Sequence, residues 1–364
     1  AAITTLSLTL VLEFRFQWAR RQVLQTEPQR LERLGRHLIV GFYDLEEVRR
    51  LVKLRAAAGI FLSARNVQGK SVAEVRSEMS SLQRIRREQS LPPLWIATDQ
   101  EGGAVSRMSP PLSSMPSLSQ VVDTHPDPVR RARAVREYAS TQGRELAEIG
   151  VNLNFAPVVD INFRVRNPHD RYTRVYQRAI SDDPGTVAEV ADWYCAALER
   201  TGVRCTLKHF PGLGRVSGDT HMGPADLDTP VSELETTDWV PFRRLMREGR
   251  AFTMLSHVRL TALDRRRPVS TSAAVVAGML RNDRQYEGIL VTDDFSMNAV
   301  YRSPDGMDAG CVDALNAGVD LILLSWDPDQ YYRAMFALLS AEERGTLDGG
   351  ALRRSDERLA RWAP

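Results

Sequence analysis

HLIVGF at residues 37 to 42, GIFLSA at 59 to 64 and PPLWIATD at 92 to 99 are short apolar runs separated by stretches with apolar residues at helical spacing. A strand-length run followed by a helical period is a βα unit, and its repetition builds a parallel sheet. Five further runs continue the pattern: GVNLNFAPVVD (150 to 160), CTLKHF (205 to 210), AFTMLSH (251 to 257), GILVTDD (288 to 294) and DLILLSW (320 to 326). Eight such units predict a closed (β/α)8 TIM-type barrel, an α/β fold in one catalytic domain over residues 31–364. An open doubly wound sheet is the competing arrangement, but no Gly-rich phosphate turn follows an early strand, so its usual dinucleotide site is missing.

Between the runs, helices are expected over Leu45 to Ala58, Val72 to Gln89, Val129 to Gly150, Pro184 to Gly202 and Val231 to Glu248, with a last one near Ala351 to Arg361. Gly59, Gly150, Gly202 and Gly318 each precede a strand, where a residue tolerating positive φ closes a helix C-terminus. The N-terminal extension, residues 1–30, begins with an apolar stretch, Ala1 to Phe16, interrupted by Glu13 and Arg15 and short for a membrane span. It reads either as a packed segment or as the remnant of a signal or anchor.

The 364 residues are 43% hydrophobic and 26% charged with a net charge of +2, the composition of a folded body without a nucleic-acid footprint. Only Lys53, Lys70 and Lys208 are lysines. Lys208 stands out because it lies between apolar and aromatic stretches. Cys195, Cys205 and Cys311 are odd in number and match neither a disulfide framework nor a zinc pattern, so they are expected to be buried free thiols. No metal and no organic cofactor is expected, and no obligate protein partner is evident.

In a (β/α)8 barrel the chemistry sits at the C-terminal ends of the strands. Polar residues gather at those ends: Asp99-Gln100-Glu101-Gly102-Gly103, Asp160, Lys208-His209, His257 and Asp293-Asp294. The loop after the fifth run, KHFPGLGRVSGDTH, carries three glycines, which suggests mobility. In it Asp219 and His221 are two residues apart, close enough for the carboxylate to fix the imidazole tautomer and raise its basicity. A retaining glycosidase needs a nucleophile and a proton donor flanking the scissile bond, and a His-Asp dyad is able to replace the usual acid. Asp293 and Asp294 compete for the nucleophile's place. Side chains alternate along a strand, so only one of the two points inward.

DQEGGAVSR (99 to 107), NLNFAPVVDI (152 to 161), KHFPGLG with GDTH (208 to 221), MLSHV (254 to 258) and GILVTDDFSM (288 to 297) together resemble glycoside hydrolase family 3, within it the bacterial β-N-acetylglucosaminidases acting on cell-wall muropeptides. The resemblance covers the chain from about Leu38 onward. It implies that Asp293 is the nucleophile, that Asp219 and His221 form the acid/base dyad, and that Asp99, Arg107, Arg178, Lys208 and His209 bind sugar. The implied substrate is a small GlcNAc-containing oligosaccharide or muropeptide, and the implied compartment is cytoplasmic, with a periplasmic or membrane-anchored protein as the alternative. Two departures stand out: Arg178 follows Tyr176-Gln177 instead of the family's small-residue lead-in, and Leu213 replaces a common second histidine. A β-N-acetylglucosaminide phosphorylase, or a broader β-hexosaminidase or β-glucosidase, on the same scaffold is the nearest alternative, and a non-catalytic carbohydrate-binding protein a distant one.

Overall fold

The computed structural model describes residues 2–164, 170–303 and 305–364; the side chains of residues 1–12 lie outside the described set. Eight strands stand side by side in chain order: β1 (Leu38–Val40), β2 (Gly59–Leu62), β3 (Trp95–Thr98), β4 (Leu153–Asn154), β5 (Arg204–Phe210), β6 (Phe252–Leu255), β7 (Leu290–Asp294) and β8 (Leu321–Leu324). All pairings are parallel, and Leu38 opposite Ile322 closes the barrel. Each strand falls on one of the eight apolar runs, and the (β/α)8 barrel is the fold.

Strand alternation divides the core in two. Ile39, Phe61, Trp95, Ala97, Leu153, Phe155, Phe252, Met254, Val291, Leu321 and Leu323 form one buried cluster. Their strand neighbours Leu38, Val40, Ile60, Ile96, Leu207, Leu255, Leu290 and Ile322 belong to the surrounding core. The first set faces the barrel axis and the second faces the helices, as period-two side chains require. Inside, Phe61 stacks on Phe155 at 5.9 Å and Trp95 meets Phe252 at 5.0 Å. Trp362, from the final helix Gly349–Trp362, sets its edge on Phe252 at 5.5 Å and plugs the lower end. The opposite, C-terminal end stays polar.

Gly150, Gly202 and Gly318 take the expected positive φ, at 89°, 84° and 99°. Gly59 does not: it opens β2, and a Cβ there would stand 2.8 Å from the Trp95 carbonyl oxygen, so close strand approach is what demands glycine. The positive φ before that strand belongs to Arg55, at 62°. The helix expected over Val231 to Glu248 is two, Val231–Thr236 and Trp239–Glu248. Pro241 is tolerated only in a first turn, which forces a restart, and Asp238 at the break takes Arg215 Nε at 2.9 Å and the Thr237 hydroxyl at 2.8 Å.

Residues Ala2–Gln25 form a helix whose described part is packed against the barrel. Ala19 and Val23 are buried, Phe16 meets Tyr332, Trp18 meets Phe336 and Arg20 pairs with Glu47. Among the described residues no helix is long and apolar enough to cross a membrane.

The cysteines correct the expectation of free thiols. Cys195 and Cys205 form a disulfide with Cα atoms 5.5 Å apart, joining helix Pro184–Glu199 to β5; Cys311 alone is free, and buried. The turn at Gly202 folds the helix back onto the next strand, which brings the inner face of one against the outer face of the other. Denatured without reductant, the chain should show one reactive thiol and, after reduction, three; three from the start would contradict the pairing.

Candidate active site

At the top of the barrel the inward faces of β3 and β5 continue into Asp99 and Lys208, two residues beyond Ala97 and on the side opposite Leu207. The Lys208 side chain is 3% exposed, and its Nζ lies 2.8 Å from Asp99 Oδ1 and 2.6 Å from Glu101 Oε1. Arg178 closes a fork on Glu101 at 2.9 and 2.6 Å and donates from Nη1 to the Thr173 carbonyl at 2.7 Å. Burial works to raise the Glu101 carboxyl, but Arg178 and Lys208 outweigh it and hold it well below the usual carboxylate range. His209 gives Nδ1 to Asp160 at 2.7 Å and turns Nε2 toward Arg178 Nη2 at 3.4 Å. Asp160 also accepts from the backbone N of Leu213 at 2.7 Å, so Leu213 is anchored by its amide and buried by its side chain. The loop expected to be mobile is thus fastened at its base.

Its far end is fastened as well. Asp219 Oδ1 accepts from His221 Nδ1 at 2.9 Å, from His221 N at 3.0 Å and from the Thr173 hydroxyl at 3.0 Å; Oδ2 takes the amides of Arg171 and Tyr172 at 3.1 Å each. Burial favours the neutral acid, yet the His221 contact and these amides depress Asp219 strongly. The amide of Ala299 donates to the Thr220 carbonyl at 3.2 Å, docking the dyad on the segment that follows β7. With Nδ1 committed to Asp219, His221 leaves Nε2 for chemistry, and its side chain is 39% exposed.

The two carboxylates at the end of β7 separate by face. Asp293 stands two residues above Val291 and lies within reach of the charges of His209, His257 and His221, whereas Asp294, beyond a register shift against β8, is bonded to the segment that follows that strand. Asp294 is saturated: Oδ2 accepts from the Ser325 hydroxyl at 2.6 Å and Trp326 N at 3.0 Å, and Oδ1 from Ser296 N at 2.9 Å and Ser325 N at 3.1 Å. Among the described residues the Asp293 carboxylate accepts one hydrogen bond, from the Asp294 amide at 2.8 Å. Burial pushes Asp293 up, but His209, His257 and His221 together bring it below its ordinary value. His257 donates from Nε2 to the Asp294 carbonyl at 3.0 Å and bonds Ser270 through Nδ1 at 2.8 Å, and burial pushes its imidazole toward the neutral form.

Of the sugar-binding residues expected, Asp99, Arg178, Lys208 and His209 share one connected network. Arg107 is exposed, its amide bonded to the Asp99 carbonyl at 3.1 Å, and it has no ion-pair partner among the described residues. Among those residues no three His, Cys, Asp or Glu side chains are grouped to hold a metal.

The profile of the glycosyl hydrolase family 3 N terminal domain matches residues 31–362. The chain belongs to glycoside hydrolase family 3. A β-hexosaminidase of Xylella fastidiosa is 35% identical over 271 residues, covering 74% of this chain and 76% of that one. The β-hexosaminidase LpqI of Mycobacterium tuberculosis is 30% identical over 339 residues, covering 90% and 81%. In structure, a family 3 β-N-acetylglucosaminidase from Paenibacillus sp. superposes with a TM-score of 0.82 at 32% identity, over 90% of this chain and 61% of that longer one. LpqI superposes with a TM-score of 0.78 at 28% identity, over 92% and 93%. The family 3 chain is a glycoside hydrolase of the β-hexosaminidase kind.

Three residues of this hydrolase's site lie outside the set singled out from sequence: Glu101, Asp160 and Thr173. Glu101 and Asp160 sit in the polar strand ends already noticed, but their partners are 77 and 49 residues away. Thr173 lies in a segment with no motif.

Two outcomes are expected. Thr173→Val removes one hydrogen bond to an ionised carboxylate, about 1.5 kcal/mol or tenfold in rate; kcat on a poor leaving group should fall on the order of tenfold with KM little changed, and an equal change in KM would count against a positioning role. Because Asp293 is depressed below the ordinary aspartate value of about 3.9, it stays ionised above roughly pH 4. The acidic limb of kcat/KM should therefore fall below about pH 4, and a limb at pH 5 to 6 set by Asp293 would contradict this.

Proposed function

We propose that this family 3 hydrolase is a retaining exo-β-N-acetylglucosaminidase that removes terminal β-linked N-acetylglucosamine from cell-wall muropeptides or related oligosaccharides. The observation that carries the reading is the division of labour at β7: Asp294 is consumed by four donors, while Asp293 faces the axis with an ionised, under-bonded carboxylate. In the proposed cycle Asp293 attacks the anomeric carbon, and the bond to the leaving oxygen breaks as His221 Nε2 delivers its proton there. Asp219 stabilises the imidazolium before that transfer. His221 then takes a proton from water, which attacks the same carbon and frees Asp293 with overall retention. Asp99, Arg107, Arg178, Lys208 and His209 supply acceptors and donors for the hydroxyls and the acetamido carbonyl. Residues 31–364 act as one catalytic domain, and the Cys195–Cys205 disulfide favours an oxidising compartment, the envelope over the cytoplasm; recovery of the full-length protein in a cytosolic fraction would oppose that placement.

The test compares aryl β-N-acetylglucosaminide with aryl β-glucoside, with and without inorganic phosphate, for the wild type, Asp293→Ala and His221→Ala. Preference for the acetamido sugar, abolished by Asp293→Ala and slowed at least a hundredfold by His221→Ala, with free sugar as product, is the expected result. Sugar 1-phosphate as product would identify a phosphorylase, and full activity in Asp293→Ala would remove the mechanism.

A further inference from the structure

Three loops on the rim of the barrel bring together residues that the catalytic network does not use. Tyr43 follows β1, Arg65 follows β2 and Trp326 follows β8, and these strands are neighbours in the closed sheet, with β7 and Asp293 next to β8. Tyr43 is 63% exposed and Trp326 68% exposed, an unusual outlay of aromatic surface at one place. They are nevertheless held. The Arg65 guanidinium carbon lies 4.5 Å from the Tyr43 ring centre and 4.9 Å from that of Trp326, and the Tyr43 hydroxyl donates to the Trp326 carbonyl at 3.2 Å. The Trp326 amide is bonded to Asp294, the residue beside the nucleophile. Among the described residues Arg65 has no carboxylate partner, so cation–π contact with the two rings is its main fixed interaction.

Exposed aromatic rings fixed by a guanidinium and joined by a backbone bond to the catalytic strand have the character of a preorganised stacking platform. We propose that Trp326 and Tyr43, positioned by Arg65, form a subsite for the leaving-group side of the substrate and bind the sugar ring next to the scissile bond. The reasoning rests on the exo-acting reading above: a pocket that takes one terminal sugar leaves the following ring at the rim. The C–H face of a pyranose is apolar and matches the open faces of the two rings, while its hydroxyls meet the free donors of Arg65. Trp326 contributes its side chain to this subsite and its amide to the Asp294 clamp, so truncating the side chain leaves the clamp in place.

The experiment measures kcat/KM for two substrates of the same glycone. One is the β-1,4-linked disaccharide of N-acetylglucosamine, whose second ring reaches the rim; the other is the trifluoroethyl β-glycoside, whose leaving group is too small to do so. Trp326→Ala and Tyr43→Ala should each lower kcat/KM for the disaccharide about five- to tenfold, mainly through KM, and leave the trifluoroethyl glycoside within about twofold. Tyr43→Phe, which keeps the ring, should behave as the wild type on both. Equal losses on the two substrates would show that the rings act through the catalytic strand, and no loss on the disaccharide would show that they bind nothing; either overturns the subsite. A wild type that turns over the trifluoroethyl glycoside but not the disaccharide overturns it as well and leaves the exo-glycosidase reading standing. Inactivity on both removes that reading and the subsite with it.

Discussion

Period-two alternation on β7, anchored by Val291 in the barrel interior, is the constraint from which the site follows. Val291 packs into the inner layer, Asp293 follows on the same side of the strand, and the register shift against β8 between Val291 and Asp294 brings Asp294 to Ser325 and Trp326. The same alternation lifts Asp99 and Lys208 into the mouth from β3 and β5. A one-residue slip in any of these strands would exchange a buried apolar side chain for a charged one, a change the closed sheet does not tolerate. The rigidity of the lower barrel is therefore what fixes the chemistry at its top.

Above that layer, charge is distributed in a chain of contacts. Glu101 holds Lys208 and Arg178, Arg178 holds the Thr173 carbonyl, the Thr173 hydroxyl holds Asp219, and Asp219 holds His221. Buried charges are costly unless paired, and each member here is the partner of the next. The consequence is that Asp99, Lys208 and Arg178 share one framework with Asp219 and His221. His257 stands apart, its pKa lowered by burial and its two ring nitrogens bonded to the Asp294 carbonyl and Ser270.

The barrel is readable from the chain because its strands are buried on both faces and appear as unbroken apolar runs. What the runs do not contain is which side of each strand faces the axis; that is settled by which side chains pack together inside the closed sheet and which pack against the helices. This is why Asp293 and Asp294 are equivalent in a reading of the residues alone, separable there only by family resemblance, and distinct once the inner cluster is known. Arg178 carries only a weak local pattern in the sequence, because the Glu101 carboxylate that fixes it lies 77 positions away. Glu101 lies in a polar strand end that by itself assigns it no role, and Thr173 and Tyr172 carry no pattern that periodicity or motif recognises. The Cys195–Cys205 pair escaped for a related reason: spacing rules describe frameworks of many cysteines, whereas here one helix–turn–strand hairpin creates the contact.

The most direct measurement is to trap the glycosyl-enzyme with a 5-fluoro glycosyl fluoride of N-acetylglucosamine, which forms the covalent intermediate faster than water breaks it down, and to locate the label by peptide mass spectrometry. A single adduct on Asp293, absent from the Asp293→Asn variant and retained in Trp326→Ala, is the predicted result. An adduct on Asp294, or turnover of substrate with no adduct on either carboxylate, would contradict the assignment of the inward-facing aspartate as nucleophile.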